Sequence, residues 1–147
     1  MDSTDKKILN RLRINARESA SGLAQKVNLS VSAVIERIKK LENSGIIKQY
    51  TTVLDNKLIG KDVTAFINVT IEHPKYNDGF TKAVTSNGAV VECNYIAGDF
   101  DFLLKVETDN TKSLELMIND IKCIPGVEKT KSIIVLSMLK NVHSAEV

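Results

Sequence analysis

Apolar positions recur with two different periods along the chain, and the period changes near residue 60. Before that point the spacing is helical. Ile8, Leu9 and Leu12 fall at i, i+1 and i+4, with Ile14 closing the segment and Ser3 or Thr4 as its expected cap. A polar break over residues 15–21 follows. Leu23, Ala24 and Val27 then share one face of a short second helix, capped by Ser19 or Ser21, and Asn28 stands where a left-handed C-terminal residue is wanted. Only Leu29 separates Asn28 from Ser30, which is the expected cap of a third helix over residues 31–43. In that helix Val34, Ile38 and Leu41 face inward at i, i+4 and i+7, and Ser44-Gly45 stops it. Ile46, Ile47, Tyr50 and Val53 then predict a short strand, and residues 55–60 a turn that serves as linker.

Beyond residue 60 the pattern predicts strand, helix, strand, strand, helix, strand. Residues 63–71 alternate, with Val63, Ala65, Ile67, Val69 and Ile71 on one side and Thr64, Phe66, Asn68 and Thr70 on the other. Pro74 opens a helix that presents Tyr76, Phe80, Ala83 and Val84 on one face and ends at Asn87-Gly88. Residues 89–97 and 100–107 read as strands joined by a turn at Gly98-Asp99. Asp109 or Asn110 caps a helix carrying Leu114, Met117, Ile118 and Ile121. Ile124-Pro125-Gly126 breaks it, and residues 127–139 form the last strand. The order βαββαβ is the ferredoxin-like arrangement, so the fold class is α+β: an N-terminal helix-turn-helix, winged-helix-like domain over residues 1–60, with its connecting strand and linker, and a ferredoxin-like domain over residues 61–147.

Both helices of that arrangement cover one face of the sheet. The other face should read polar in a monomer. Here it still carries Phe66, Val90, Ile96 and Leu103, and the last strand is apolar on both sides through Ile133, Ile134, Val135 and Leu136. A half-apolar open face calls for a cover, and the simplest is a second copy in a two-fold dimer.

Charge changes the picture of the first half. The 147 residues carry a net charge of +2, but residues 1–60 hold eleven Lys and Arg against six acids, and the remainder holds nine Lys against twelve acids. All four arginines (Arg11, Arg13, Arg17 and Arg37) lie in the first half. A tight turn between a short helix and a longer basic one is the helix-turn-helix pattern, whose second helix fits the DNA major groove. An ordinary three-helix bundle would show the same core spacing. The outward side of the third helix favours DNA. Its N-terminal end carries the small residues Ser32 and Ala33, and Glu36, Arg37 and Lys40 follow. Ser30, Ser32, Ala33, Glu36, Arg37, Lys39 and Lys40 are the candidate DNA contacts. Glu36 repels phosphate. It either accepts from a cytosine amino group or pairs with Lys40 one turn on.

Composition excludes other classes. Charged residues make up 26% and apolar residues 43%, as in ordinary globular chains, so collagen-like and disordered readings fall. The longest aliphatic run, residues 133–136, is far short of the roughly 20 residues that span a bilayer. The start, Met1-Asp2-Ser3-Thr4-Asp5-Lys6-Lys7, has no apolar core, so no secretory signal is expected and the reducing cytosol is the expected compartment. An enzyme needs converging titratable groups. His73 precedes Pro74 at a strand end, and His143 lies in a polar tail. Cys93 reads as a buried small hydrophobe and Cys123 as a core residue at a helix end. No spacing suits a metal, and no cofactor is expected.

At this point the residues resemble the Lrp/AsnC, or feast/famine, family of bacterial and archaeal transcription regulators. The resemblance covers essentially the whole chain. It is carried by Asp5-Lys6-Lys7-Ile8-Leu9, by Leu29-Ser30-Val31-Ser32-Ala33-Val34-Ile35-Glu36-Arg37-Ile38-Lys39-Lys40-Leu41-Glu42 and by Gly45-Ile46-Ile47-Lys48-Gln49-Tyr50. Gly98-Asp99-Phe100-Asp101 and Ile124-Pro125-Gly126-Val127 complete it. The resemblance implies a DNA-binding regulator rather than an enzyme. It also implies homodimers formed through the C-terminal sheets, often assembled into octamers, and a small-molecule effector, usually an amino acid. The effector would sit near the Gly98-Asp99-Phe100-Asp101 turn, at contacts between dimers. Backbone N–H groups of such a turn suit a carboxylate and Asp99 or Asp101 an ammonium, while a plain hairpin turn would also explain the glycine. Tyr95 and Ala97, which alternate along the strand toward the turn, are the neighbouring candidates.

Overall fold

The computed structural model describes residues 1–142 and 144–147, and His143 lies outside the described residues. Contacts divide the chain into a helical unit, Met1–Val53 with Lys140–Val147, and a sheet unit, Leu54–Leu139.

The helical unit contains α1 (Ser3–Ile14), α2 (Ala20–Val27) and α3 (Val31–Asn43). Its core is the cluster of Ile8, Leu23, Ala24, Val34 and Leu41, with Leu9, Val27 and Ile38 packed against it. Ser19 caps α2 by accepting from the Gly22 N–H, and Ser30 caps α3 by accepting from the Ala33 N–H. Between them Asn28 takes the left-handed conformation, φ 55° and ψ 47°, and the Leu29 N–H bonds back to the Ala24 carbonyl. This is the six-to-one closure that ends a helix and turns the chain in three residues. The cap of α1 differs from the expectation. Asp2, not Ser3 or Thr4, is the cap, and it forms a reciprocal capping box with Asp5. A carboxylate accepts two N–H groups where a hydroxyl commonly takes one, and a negative charge suits a helix N-terminus.

The strand expected over residues 46–53 does not form. Its residues are β-prone, but the helical unit offers them no strand to pair with among its described residues. Instead Tyr50 donates to Glu42 of α3 at 2.8 Å. The Asp55 carboxylate caps a following turn by accepting from the Lys57 and Leu58 N–H groups.

The sheet unit has β1 (Val63–Ile71), a 3₁₀ turn (Pro74–Tyr76), α4 (Asn77–Thr85), β2 (Val90–Tyr95), β3 (Phe102–Thr108), α5 (Thr111–Lys122) and β4 (Val127–Ile134). The strands lie in the order β2-β3-β1-β4, and each neighbouring pair is antiparallel. Ala65, Ile67, Val69 and Ile71 of β1 and Phe102, Leu104 and Val106 of β3 are buried under Phe80 and Val84 of α4 and Leu114, Met117 and Ile121 of α5. The expected βαββαβ order is therefore present. Several details differ, and β3 covers Phe102–Thr108 rather than residues 100–107. A 3₁₀ turn precedes α4, because Pro74 fixes a tight start. β2 is shorter than expected at both ends, which leaves Ile96 in the turn instead of on the sheet. The register shift between Val90 and Glu92 changes the parity of β2, so Val90 joins the helix-side core and Glu92 takes the open face. β4 stops at Ile134 rather than residue 139, because its partner β1 has run out: Val135 makes a last bond to the Thr64 carbonyl.

The open face carries Phe66 and Leu103 on its two central strands and Ile133 on the edge strand β4. Register places Glu92, Lys105, Phe66 and Ile133 in one row across the four strands. Lys105 stands 3.7 Å from both Glu92 and Glu107, with its side chain only 14% exposed. Cys93 is half-buried on the helix side, where burial pushes its thiol pKa up. Cys123, by contrast, is exposed at the C-terminus of α5 and is not a core residue, because the chain turns at Cys123 away from the sheet.

Gly126 opens β4 with φ +88°, and a Cβ added there would penetrate the Tyr76 ring. Gly126→Ala therefore combines a disfavoured backbone with a steric clash. It is expected to destabilise the protein by about 2 kcal/mol or more, read as a lower melting temperature in calorimetry. The same change at Gly88, where the added methyl meets nothing within 4 Å, should leave the melting temperature nearly unchanged.

Candidate DNA-binding helix and effector turn

The turn at residues 28–30 fixes how α3 leaves α2, so the exposed side of α3 is determined by its buried side. With Val34 and Leu41 buried, Ser32, Glu36, Lys39 and Lys40 are exposed. Among the described residues Glu36, Lys39 and Lys40 form no ion pair, and the expected Glu36–Lys40 pairing is absent. Ala33 is half-buried. Ser30 is engaged as the cap, and its hydroxyl also meets that of Ser32 at 3.1 Å. Val31 and Ile35 are 43% and 42% exposed on the same outer side. Val31 lies three residues before Val34 and seven before Ile38, so spacing alone would have put it on the core stripe, and neither residue was among the candidates. Exposed aliphatic groups there suit contact with a thymine methyl.

Arg37 departs from its neighbours. Instead of projecting freely, it lies on the flank of α3 with a third of its side chain exposed. Its Nη1 donates to Asp2 Oδ2 at 2.7 Å and to Asp5 Oδ1 at 2.6 Å. Hydrogen bonds from each other's backbone, and then the Arg37 guanidinium, hold both Asp2 and Asp5 below the usual carboxylate range. The two acids raise the Arg37 pKa in return. A second cluster ties α1 to α2: Glu18 accepts from Arg11 at 2.9 Å and also pairs with Lys26. Hydrogen bonds from Arg11 and Lys26 lower the Glu18 pKa.

In the sheet unit, residues 96–101 connect β2 to β3. Asp101 anchors this turn. Its N–H donates to the Val69 carbonyl at 3.0 Å, its carbonyl accepts from Ile96 at 2.8 Å, and its Oδ2 accepts from the Ile71 N–H at 2.7 Å. β1 shifts register at Thr70/Ile71 and β3 begins only at residue 102, so the side chain of Asp101 supplies the acceptor that a strand would have given. Half of its carboxylate is thus committed to the fold. Gly98 has φ +151° and open space where a side chain would be. Ala97 and Asp99 are exposed, and Phe100 is half-buried. The Tyr95 ring is 68% exposed and lies tilted against Phe102, 5.1 Å between centroids. The turn thus brings Tyr95, Ala97, Gly98, Asp99, Phe100 and Asp101 together in sequence order, with Asp99 as its free carboxylate. A groove of about 520 Å³ lies elsewhere in this unit, bounded by Lys75, Tyr76, Asp120, Cys123 and Ile124, and includes none of the turn residues.

Among the described residues no group of three His, Cys, Asp or Glu is arranged to hold a metal ion, and no helix is long and apolar enough to cross a membrane.

Comparison with known proteins agrees with this architecture. Residues 1–42 match the AsnC-type helix-turn-helix domain, and residues 64–144 match the Lrp/AsnC ligand binding domain. The HTH-type transcriptional regulator FL11 of Pyrococcus horikoshii is 35% identical over 144 residues, covering 95% of this chain and 92% of that protein. The leucine-responsive regulatory protein of Haemophilus influenzae is 31% identical, covering 97% and 88%. A Neisseria meningitidis transcriptional regulator, solved as its L-Met complex, superimposes with a TM-score of 0.95 at 30% identity, covering 99% of this chain and 96% of that one. A helix-turn-helix unit joined to a ligand-binding sheet unit marks a transcriptional regulator and not an enzyme. The chain belongs to the Lrp/AsnC family of transcriptional regulators.

Proposed function

We propose that this regulator works in the cytosol as a homodimer, or as a larger assembly such as an octamer, and that an amino acid tunes its grip on specific duplex DNA. Residues 1–60 form the DNA-binding module and residues 61–147 the sensing and assembly module. The observation that carries the DNA reading is the outer side of α3. It presents Glu36, Lys39 and Lys40, which have no ion-pair partner among the described residues, beside Ser32 and two exposed aliphatic side chains. Ser30, Ser32, Ala33, Glu36 and Arg37 lie toward the bases, and Lys39 and Lys40 toward phosphate. Gel-shift titrations of the full chain should show log K falling with log[salt] by about 0.9 per phosphate contacted. Lys39→Ala and Lys40→Ala should each flatten that slope by about 0.9 per subunit while leaving sequence preference intact. A slope near zero for the wild type would refute phosphate binding. Two α3 helices related by a two-fold axis should protect half-sites about one helical turn apart.

Assembly rests on the open sheet face. Phe66, Leu103 and Ile133 lie where neither α4 nor α5 can cover them, and a second copy would bury them against their equivalents. Phe66→Glu or Leu103→Glu would place a carboxylate in that contact. Sedimentation of the full chain should then show at least a tenfold weaker association, with circular dichroism unchanged. A wild type that sediments as a monomer at micromolar concentration would refute the dimer.

Sensing rests on the turn. Gly98 gives a ligand room to approach the backbone, Asp99 is free to accept from an ammonium, and the similar Neisseria protein was solved with L-Met. An amino acid bound there between dimers would favour one assembly over another and so shift DNA affinity. A thermal-shift screen against the twenty amino acids should find at least one that raises the melting temperature, since a ligand at a hundredfold excess over its Kd adds about 2.7 kcal/mol. Asp99→Ala should abolish that rise while leaving the unliganded melting temperature close to wild type, and Gly98→Arg should abolish it while lowering the unliganded melting temperature, because φ +151° strains any side chain there. No response to any amino acid, or normal responses in both variants, would refute sensing at this turn.

A further inference from the structure

We infer that Asp2 and Asp5 are specificity-determining positioning residues: the capping box of α1 holds Arg37 of α3 by one nitrogen, fixing its remaining donors for a base edge and withholding it from phosphate. The inference rests on the DNA-binding reading of α3.

The geometry separates this cluster from an ordinary surface ion pair. Each carboxylate is divided between two tasks. Asp2 Oδ1 accepts from the Thr4 and Asp5 N–H groups at 2.9 and 2.8 Å, while its Oδ2 holds Arg37. Asp5 Oδ2 accepts from the Asp2 N–H at 2.9 Å, while its Oδ1 holds Arg37. Exposed ion pairs are weak largely because two flexible side chains must be ordered to make them. Here the acids are already ordered by the helix terminus that they cap, so only the arginine has freedom to lose.

Both bonds take the same nitrogen, Nη1. Among the described residues Nε and Nη2 have no partner. Those two form the side-on fork of the guanidinium, two parallel N–H donors that match the O6 and N7 acceptors of guanine. A free arginine beside DNA would find the nearest phosphate, which carries no sequence information. The two acids oppose that in two ways. They fix the fork, and they give the three-residue cluster a net negative charge that discounts non-specific attraction. Selectivity is a difference between affinities, and a built-in repulsive element widens it.

The test uses the full chain, a duplex selected by the wild type from a random pool, and a scrambled duplex of the same composition. The double variant D2N/D5N keeps side-chain oxygens for the cap, since asparagine caps as well as aspartate, but releases Arg37. Affinity for the scrambled duplex should rise severalfold. Its salt slope should steepen by about 0.9 per subunit as Arg37 becomes a phosphate contact. The ratio of selected to scrambled affinity should fall at least tenfold. Arg37→Lys keeps the charge but not the fork, so it should also lose selectivity while keeping the wild-type salt slope on the scrambled duplex. If the double variant does not fold, as read by circular dichroism, Arg37→Lys decides alone. The inference is overturned if D2N/D5N raises both affinities by the same factor, which would make the acids bulk charge only. It is overturned equally if either folded variant keeps a wild-type ratio and merely melts earlier, which would make the cluster a strut. A wild type that selects no duplex from the pool would instead sink the DNA-binding reading beneath it.

Discussion

The helical unit has to hold a rod at a fixed angle with very little apolar material. Its core is the cluster of Ile8, Leu23, Ala24, Val34 and Leu41, and a unit of this size buries a smaller fraction of its surface than a larger domain does. Packing of that extent brings three helices together but leaves their mutual rotation soft. Polar connections supply the rest. Asn28 ends α2 in a left-handed turn, Ser30 starts α3 at once, Glu18 joins Arg11 of α1 to Lys26 of α2, and Asp2 and Asp5 join α1 to α3. The caps and the ion pairs are one system, because the residues that satisfy helix ends are also the ones that cross between helices.

The sheet unit meets a different constraint. Two helices can cover only one face of four strands, so burial is lopsided by construction. β1, at the centre with β3, shows it most clearly: Ala65, Ile67 and Val69 are fully buried, while Phe66, Asn68 and Thr70 between them are not. Side chains that alternate at period two cannot trade places without a change of register. The shift at Val90/Glu92 is such a change, and it exchanges a valine for a glutamate on the open face beside Lys105.

Much of this was legible in the sequence. The three helices, the left-handed Asn28, the Ser30 cap and the β1 span follow from local rules that the structure obeys. Two misreadings were local, the Asp2 cap of α1 and the 3₁₀ turn at Pro74; the others depended on a partner distant in sequence. Residues 46–53 have strand propensity but no neighbouring strand among the described residues of their unit. β4 ends where β1 ends, which its own apolar run does not announce. Cys123 looks like a core residue until the chain direction after α5 is known. In α3, spacing placed Arg37 outside, but nothing in spacing shows that Asp2, thirty-five residues earlier, would reach it.

The anchoring of the residue 96–101 turn has a bearing on how such chains diverge. Asp101 is bound through its N–H, its carbonyl and its side chain to β1 and to the end of β2, so the base of the loop is held independently of the side chains at positions 97 and 99. Ala97 and Asp99 carry no comparable duty: both are exposed, and neither side chain makes a hydrogen bond among the described residues. Mutational drift can therefore run through the tip at little folding penalty while the scaffold under it stays put. Substitutions at positions 97 and 99 would change what the hairpin presents without disturbing how it folds.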